Sequence, residues 1–207
     1  MPFTSYALDT FVAQEMSKLT ECNAKAIGES FEQSQHWLGN FVLNSVFRVP
    51  VAQEHKPFIL TFLRRAEMAL LEYEQGRVVL EEYVRKPSNH ISKYFQALHH
   101  FEVTINLLYQ AYELVMKKLD TKLFTKNDAS PLERLNRVYN VIKHVEFSSI
   151  PEGNLHPVWL RNEGIFISTA YITFDELYNM LIEIGSLADK LSNPELPAVE
   201  DDASKEQ

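Results

Sequence analysis

The sequence predicts an all-α fold, an up-and-down helical bundle organised on one long antiparallel helical hairpin, with a short β-hairpin excursion before the last helix. Three observations carry this. Two long stretches, 57–85 and 90–119, place apolar residues at alternating steps of three and four, the period of a helix with one buried face. Only six glycines occur in 207 residues, too few for a loop-rich or all-β chain. The helical pattern gives way clearly at one place, 150–172, where prolines, glycines and β-branched triplets replace it.

Taken in order, residues 4–48 read as helical in two pieces, with a break near Gly28 or at Gly39-Asn40 and an end at Val49-Pro50. The apolar positions there (Tyr6, Phe11, Met16, Leu19, Trp37, Phe41, Val42, Val46) follow the helical period loosely. The 57–85 helix has a continuous seam of Ile59, Phe62, Ala66, Ala69, Tyr73, Gly76, Leu80 and Tyr83. Its small members let a neighbouring helix come close, and Pro87 stops it. Ser88 or Asn89 is suited to cap the next helix, whose seam is Tyr94, Leu98, Phe101, Ile105, Leu108, Tyr112, Val115 and Leu119. Two seamed helices joined tightly make an antiparallel hairpin.

A polar connection, Asp120 to Ser130, leads to a short helix over 131–146. Ser130-Pro131-Leu132-Glu133 is its start signal, with Ser as cap, Pro at the first position and Glu three residues on. Val158-Trp159-Leu160 and Ile165-Phe166-Ile167 flank a Gly-containing turn and read as a β-hairpin, about 157–172, that must lie on the bundle to be stable. Thr173-Phe174-Asp175-Glu176 is a second capping box, opening a last helix to about Leu191. The expectation is a single domain over 1–192, followed by a disordered acidic tail over 193–207.

Composition narrows the functions. Hydrophobic and charged contents of 45% and 23% are ordinary for a globular chain. The single cysteine, Cys22, excludes an internal disulfide framework and a Cys-based zinc site, which fits a reducing compartment. Met1–Phe11 lacks the basic and apolar regions of a secretory signal. The uncharged run Gln33–Phe47 falls short of the roughly 20 residues a membrane helix needs. A cytoplasmic protein without a membrane partner is therefore expected. A net charge of −8 argues against a general nucleic-acid coat, although 117–143 carries seven Lys/Arg against three acids. No phosphate loop, GxSxG, HExxH or ExxH pair occurs, so no cofactor and no metal are expected. His99 and His100 diverge by about 100° on a helix and cannot share one metal.

What remains is the polar face of the 131–146 helix. Leu135, Val138, Ile142 and Val145 share one side; Arg137, Asn140 and His144 share the other, within about 60°. Imidazole moves protons near neutral pH and guanidinium holds phosphates, so this trio is the catalytic candidate. The same face equally suits solvent or a docked partner.

Arg137-x6-His144, on the helix after a long helical hairpin, resembles the signature of the HEPN family of small helical bundles, an Arg followed by His with Asn often between them. In the commonest form Asn follows Arg directly; here Val138 does, and Asn140-Val-Ile-Lys-His144 matches the tail of the pattern. The resemblance implies a metal-independent endoribonuclease of toxin or defence type, acting as a homodimer on RNA, with a protein partner such as an antitoxin. It implies that Arg137 binds the scissile phosphate, that His144 is general acid or base, that Asn140 holds one of them or the RNA, and that Lys143 and Arg134 contact substrate. The alternative is a non-catalytic helical-bundle interaction module that docks a protein through the same polar face or the hairpin.

Overall fold

The computed structural model describes residues 3–86, 91–144, 150 and 152–194. The chain order is α1 (Ser5–Phe11), a single 3-10 turn (Met16–Lys18), α2 (Glu29–Ser34), α3 (Trp37–Phe47), α4 (Lys56–Arg85), α5 (Ile91–Leu119), α6 (Pro131–Lys143), β1 (Val158–Arg161), β2 (Gly164–Ile167), β3 (Ala170–Thr173) and α7 (Phe174–Ser192). No described helix is long and apolar enough to cross a membrane.

The expected hairpin is the pair α4 and α5. Its cross-links, Lys93–Glu82, His100–Glu72, Arg65–Gln110 and Lys118–His55, join residues ever farther from the connection, which is the register of an antiparallel pair. All eight expected seam residues of α4 are buried. Gly76 is needed for the approach: a Cβ there would stand 3.1 Å from the Cβ of His100 and 3.2 Å from the Phe101 ring. The α5 seam is buried from Tyr94 to Tyr112 but runs out beyond, where Leu119 is 63% exposed. The proposed caps Ser88 and Asn89, and Pro87, lie outside the described residues, as do Val145, Glu146 and 195–207 of the expected tail.

α7 packs on α3, α4 and α5. Its capping box is formed as expected, with Thr173 Oγ1 accepting from the Glu176 amide and the Glu176 carboxylate accepting from the Thr173 amide. Asn44 Nδ2 donates to the Ser192 carbonyl at 2.7 Å and ties α3 to the end of α7.

Two expectations need correction. The excursion before α7 is a three-stranded antiparallel sheet, order β1-β2-β3, so the fold is mostly helical with a small sheet rather than all-α. β3 was hidden because Ala170–Thr173 is a four-residue strand running directly into the capping box of α7. The amino-terminal region is also less helical than its loose periodicity suggested. Residues 12–28 hold only the 3-10 turn, while Gly39 lies inside α3 without a break. This segment is fixed by tertiary bonds instead. Gln14 accepts from the amides of Leu155 and His156 and donates to the His156 carbonyl, and Asn162 Oδ1 accepts from the amides of Thr20 and Glu21. Tyr6, Phe11, Val42 and Val46, expected on the buried side, are exposed.

Candidate functional site

The sheet alternates cleanly. Val158, Leu160, Ile165, Ile167 and Ile172 face the core and are buried. Their neighbours Trp159, Phe166 and Tyr171 are cross-strand partners in register and form one aromatic row across the opposite face. Phe166 and Tyr171 lie parallel, with centroids 5.0 Å apart and planes at 11°; Trp159 and Phe166 are 6.4 Å apart. Tyr171 is 45% exposed. Arg161 lies on this same outer face, its guanidinium 4.3 Å from the Phe166 centroid.

α6 supplies the facing wall. Leu135, Val138 and Tyr139 are its buried apolar residues, and Tyr139 stacks on Tyr109 of α5 at 4.2 Å. Between this wall and the sheet lies a cleft of about 450 Å³, lined on the helix side by Glu133, Arg134 and Arg137 and on the sheet side by the aromatic row, Arg161 and the β2–β3 turn. On the other side of Phe166, Tyr171 and Arg161 is a second cleft, of about 610 Å³, bounded by Glu15, Lys18 and Glu163.

Every guanidinium at the cleft is held by a carboxylate. Ser130 caps α6, its Oγ accepting from the Glu133 amide at 3.1 Å, but the Glu133 side chain does not return the bond to Ser130. It is buried and accepts from the amides of Asn127 (2.7 Å) and Ala129 (2.8 Å) and from Arg137 Nη2 (3.0 Å). Asn127 and Ala129 sit at φ 65° and 55°, in the left-handed region where a side chain is disfavoured, and the bonds to one carboxylate offset that cost. The backbone donor of Asn127, with Arg137 and Ala129, holds the Glu133 carboxyl below its ordinary value.

Arg134 is ion-paired with Glu176 and donates to the Ala129 carbonyl, and its buried Nε has no hydrogen-bond partner among the described residues. Arg161 donates through Nε to Glu15 at 2.6 Å, and the same carboxylate accepts from the Trp159 indole at 3.2 Å. Burial pushes Glu15 upward; its bonds to Lys18 and Arg161 outweigh that and hold it below the ordinary range.

The expected residues are thus divided. Arg137 and Arg134 line the cleft, while Asn140, Lys143 and His144 do not. Asn140 donates to Asn136 at 3.2 Å, and Lys143 lies 5.6 Å from the Tyr139 ring. His144 is the C-cap of α6, with φ −117° and ψ 58°, and its amide donates to the Asn140 carbonyl at 3.0 Å. Arg137, Asn140, Lys143 and His144 are all exposed. Elsewhere, His100 Nδ1 is 2.7 Å from Glu72, and half-buried Cys22 places Sγ 3.9 Å from the Arg77 carbonyl. Among the described residues no group of three or more His, Cys, Asp or Glu gathers as a metal site requires.

Sequence reasoning missed Glu15, Glu133 as an anchor, Trp159, Arg161, Phe166 and Tyr171. The signal was available for the sheet residues: alternation with period two from Val158 to Thr173 puts the aromatic row and Arg161 on one face once the third strand is recognised. Glu15 pairs locally with Lys18, but nothing local marks its bonds to Trp159 and Arg161, more than 140 residues away. Comparison of the chain with protein-family models, with curated proteins and with solved structures finds no match.

Proposed function

We propose that the chain is a non-catalytic recognition module and that it binds through the cleft between α6 and the outer face of the sheet. The observation that carries this reading is the pairing of a partly exposed aromatic row with guanidiniums already fixed by carboxylates beneath them. Side chains held in place before a ligand arrives lose little freedom on binding, which is what a recognition surface requires. Catalysis by the α6 trio has less support, because Arg137 turns to Glu133 and the cleft is lined by neither Asn140 nor His144.

The test uses the two tryptophans as reporters. Both are buried, at 1% and 6% exposure, but Trp37 lies in the core away from the cleft, whereas Trp159 is part of the cleft wall. Planar aromatic fragments added to the labelled protein should move the Trp159 indole and Tyr171 resonances and leave Trp37 in place. Perturbation confined to other surfaces, or none at all, would remove the cleft as the binding surface.

A second reading draws on the exposure of Arg137, Asn140, Lys143 and His144 together near the end of α6. There a second copy could complete a metal-independent ribonuclease of the HEPN type. RNA cleavage in EDTA by the wild type, lost in His144→Ala, would favour that enzyme; no cleavage by either returns the weight to the recognition module.

A further inference from the structure

We infer that the α6–sheet cleft takes one planar aromatic anion of about mononucleotide size, its ring against Tyr171 and its charged group on Arg137; this rests on the cleft being the binding surface. The ring is argued from the row itself. Phe166 and Tyr171 already stack in parallel, the Arg134 guanidinium lies 6.0 Å from the Tyr171 centroid, and Tyr171, on the last strand and 45% exposed, keeps ring surface for a further flat group. The β2–β3 turn adds the exposed residues Ser168 and Thr169 at the same cleft, whose hydroxyls suit the polar edge of such a ring.

The charge is argued from how each guanidinium is spent. Arg134 uses both terminal nitrogens within the protein, on Glu176 and on the Ala129 carbonyl. Arg161 is bonded to Glu15 through both Nε and Nη2 and covers Phe166. Arg137 differs. Its side chain is 43% exposed and gives one nitrogen to Glu133, a carboxylate that two backbone amides already satisfy in part. Among the described residues its other N–H groups have no partner, and the planar fork can offer two of them to a carboxylate or a phosphate.

Arg137, which of the three gives the fewest nitrogens to the protein, matches one anionic group. A strand of linked phosphates would need several, and it would meet Glu15 and Glu163 at the second cleft on a chain of net charge −8. The volume of about 450 Å³ is that of a small-ligand site. The shared chemistry is therefore a flat ring with a single carboxylate or phosphate.

Titration calorimetry on the full chain tests this with five probes: AMP for the phosphate form, indole-3-acetate for the carboxylate form, adenosine for the ring alone, inorganic phosphate for the anion alone, and hexa-adenylate for a strand. At least one of the two ring-bearing anions should bind with Kd below about 1 mM and at least tenfold more tightly than ring or anion alone. The one that binds identifies the anionic group. Arg137→Gln should bring that ligand down to the affinity of its neutral ring, leaving the ring's own weak binding unchanged. Tyr171→Leu should weaken the ring-bearing probes about tenfold and leave inorganic phosphate unaffected. Lys143→Ala, away from the cleft, should change neither.

Hexa-adenylate binding more tightly than AMP would overturn the single-anion assignment. Neutral rings binding at Trp159 and Tyr171 as well as the anions do would also overturn it while leaving the recognition surface standing. No probe binding would overturn the inference, and a silent Trp159 in the fragment test would remove the surface beneath it.

Discussion

The α4–α5 hairpin and the α6–sheet cleft are built on opposite economies of contact. In the hairpin, side chains such as Phe62, Ala66, Tyr73 and Phe101 reach zero exposure, and Gly76 lets the two backbones approach. Its stability comes from apolar area removed from water and from dense packing, neither of which leaves a group to offer a ligand. At the cleft, three guanidiniums are paired with the carboxylates of Glu15, Glu133 and Glu176, and the aromatic row opens to solvent at Tyr171. Such partly exposed ion pairs add little to stability. Their effect is to hold orientation, so the hairpin should be sensitive to substitution in its folding and the cleft in its binding.

The largest stability loss should follow Phe101→Ala. Its ring is fully buried, against Tyr73 at 5.8 Å and Phe174 at 5.0 Å, and removing it leaves a cavity between α5, α4 and α7 costing about 3–5 kcal/mol by chemical denaturation. Gly164→Ala comes next, and it tests the sheet as a scaffold. An added Cβ would stand 2.2 Å from the Ile172 carbonyl oxygen, so β2 and β3 must part, at a cost of about 2–3 kcal/mol and with disturbance of the Phe166–Tyr171 stack.

A third prediction concerns pH. Burial raises the Glu102 carboxyl on α5 from 4.5 to about 7, so the folded chain holds that proton more tightly than the unfolded one. The group's contribution to stability is therefore greatest below about 4.5, falls as pH rises to about 7, and is flat above. Glu102→Gln should flatten that part of the profile and stabilise the protein at pH 8 by about 2 kcal/mol. Glu15, Asp128 and Glu133 have lowered values and act in the opposite sense, losing stability as pH falls below the ordinary carboxylate range. The smallest change should come from Arg137→Ala, with an unfolding free energy within about 1 kcal/mol of wild type because the pair is partly exposed. A much larger loss would mean that the cleft, like the hairpin, is a structural element first.

The hairpin, the start of α6 and the capping box of α7 were legible in the amino-acid order because each rests on contacts three or four residues apart. The 3–4 seams of α4 and α5, Ser130 before Pro131, and Thr173 with Glu176 all express local geometry that tertiary packing reinforces. The polar face of α6 was legible as a face, since Arg137 and Asn140 are exposed on it. His144, one residue past Lys143, is exposed as well, and its amide still bonds to the Asn140 carbonyl in the helical pattern. The 12–28 segment was misread because its conformation is set by Gln14 and Asn162, through bonds spanning more than 140 residues that no local period announces.

By itself, then, the sequence determined the α4–α5 hairpin with its buried seams, the starts of α6 and α7, and the place where helix gives way to strand, since these follow from side-chain period, capping and turn chemistry. Only the tertiary structure decided that the outer face of the sheet meets α6 and that Glu15 reaches Arg161 and Trp159. These are encounters between segments far apart in the chain, and their geometry exists only once the core beneath them has packed.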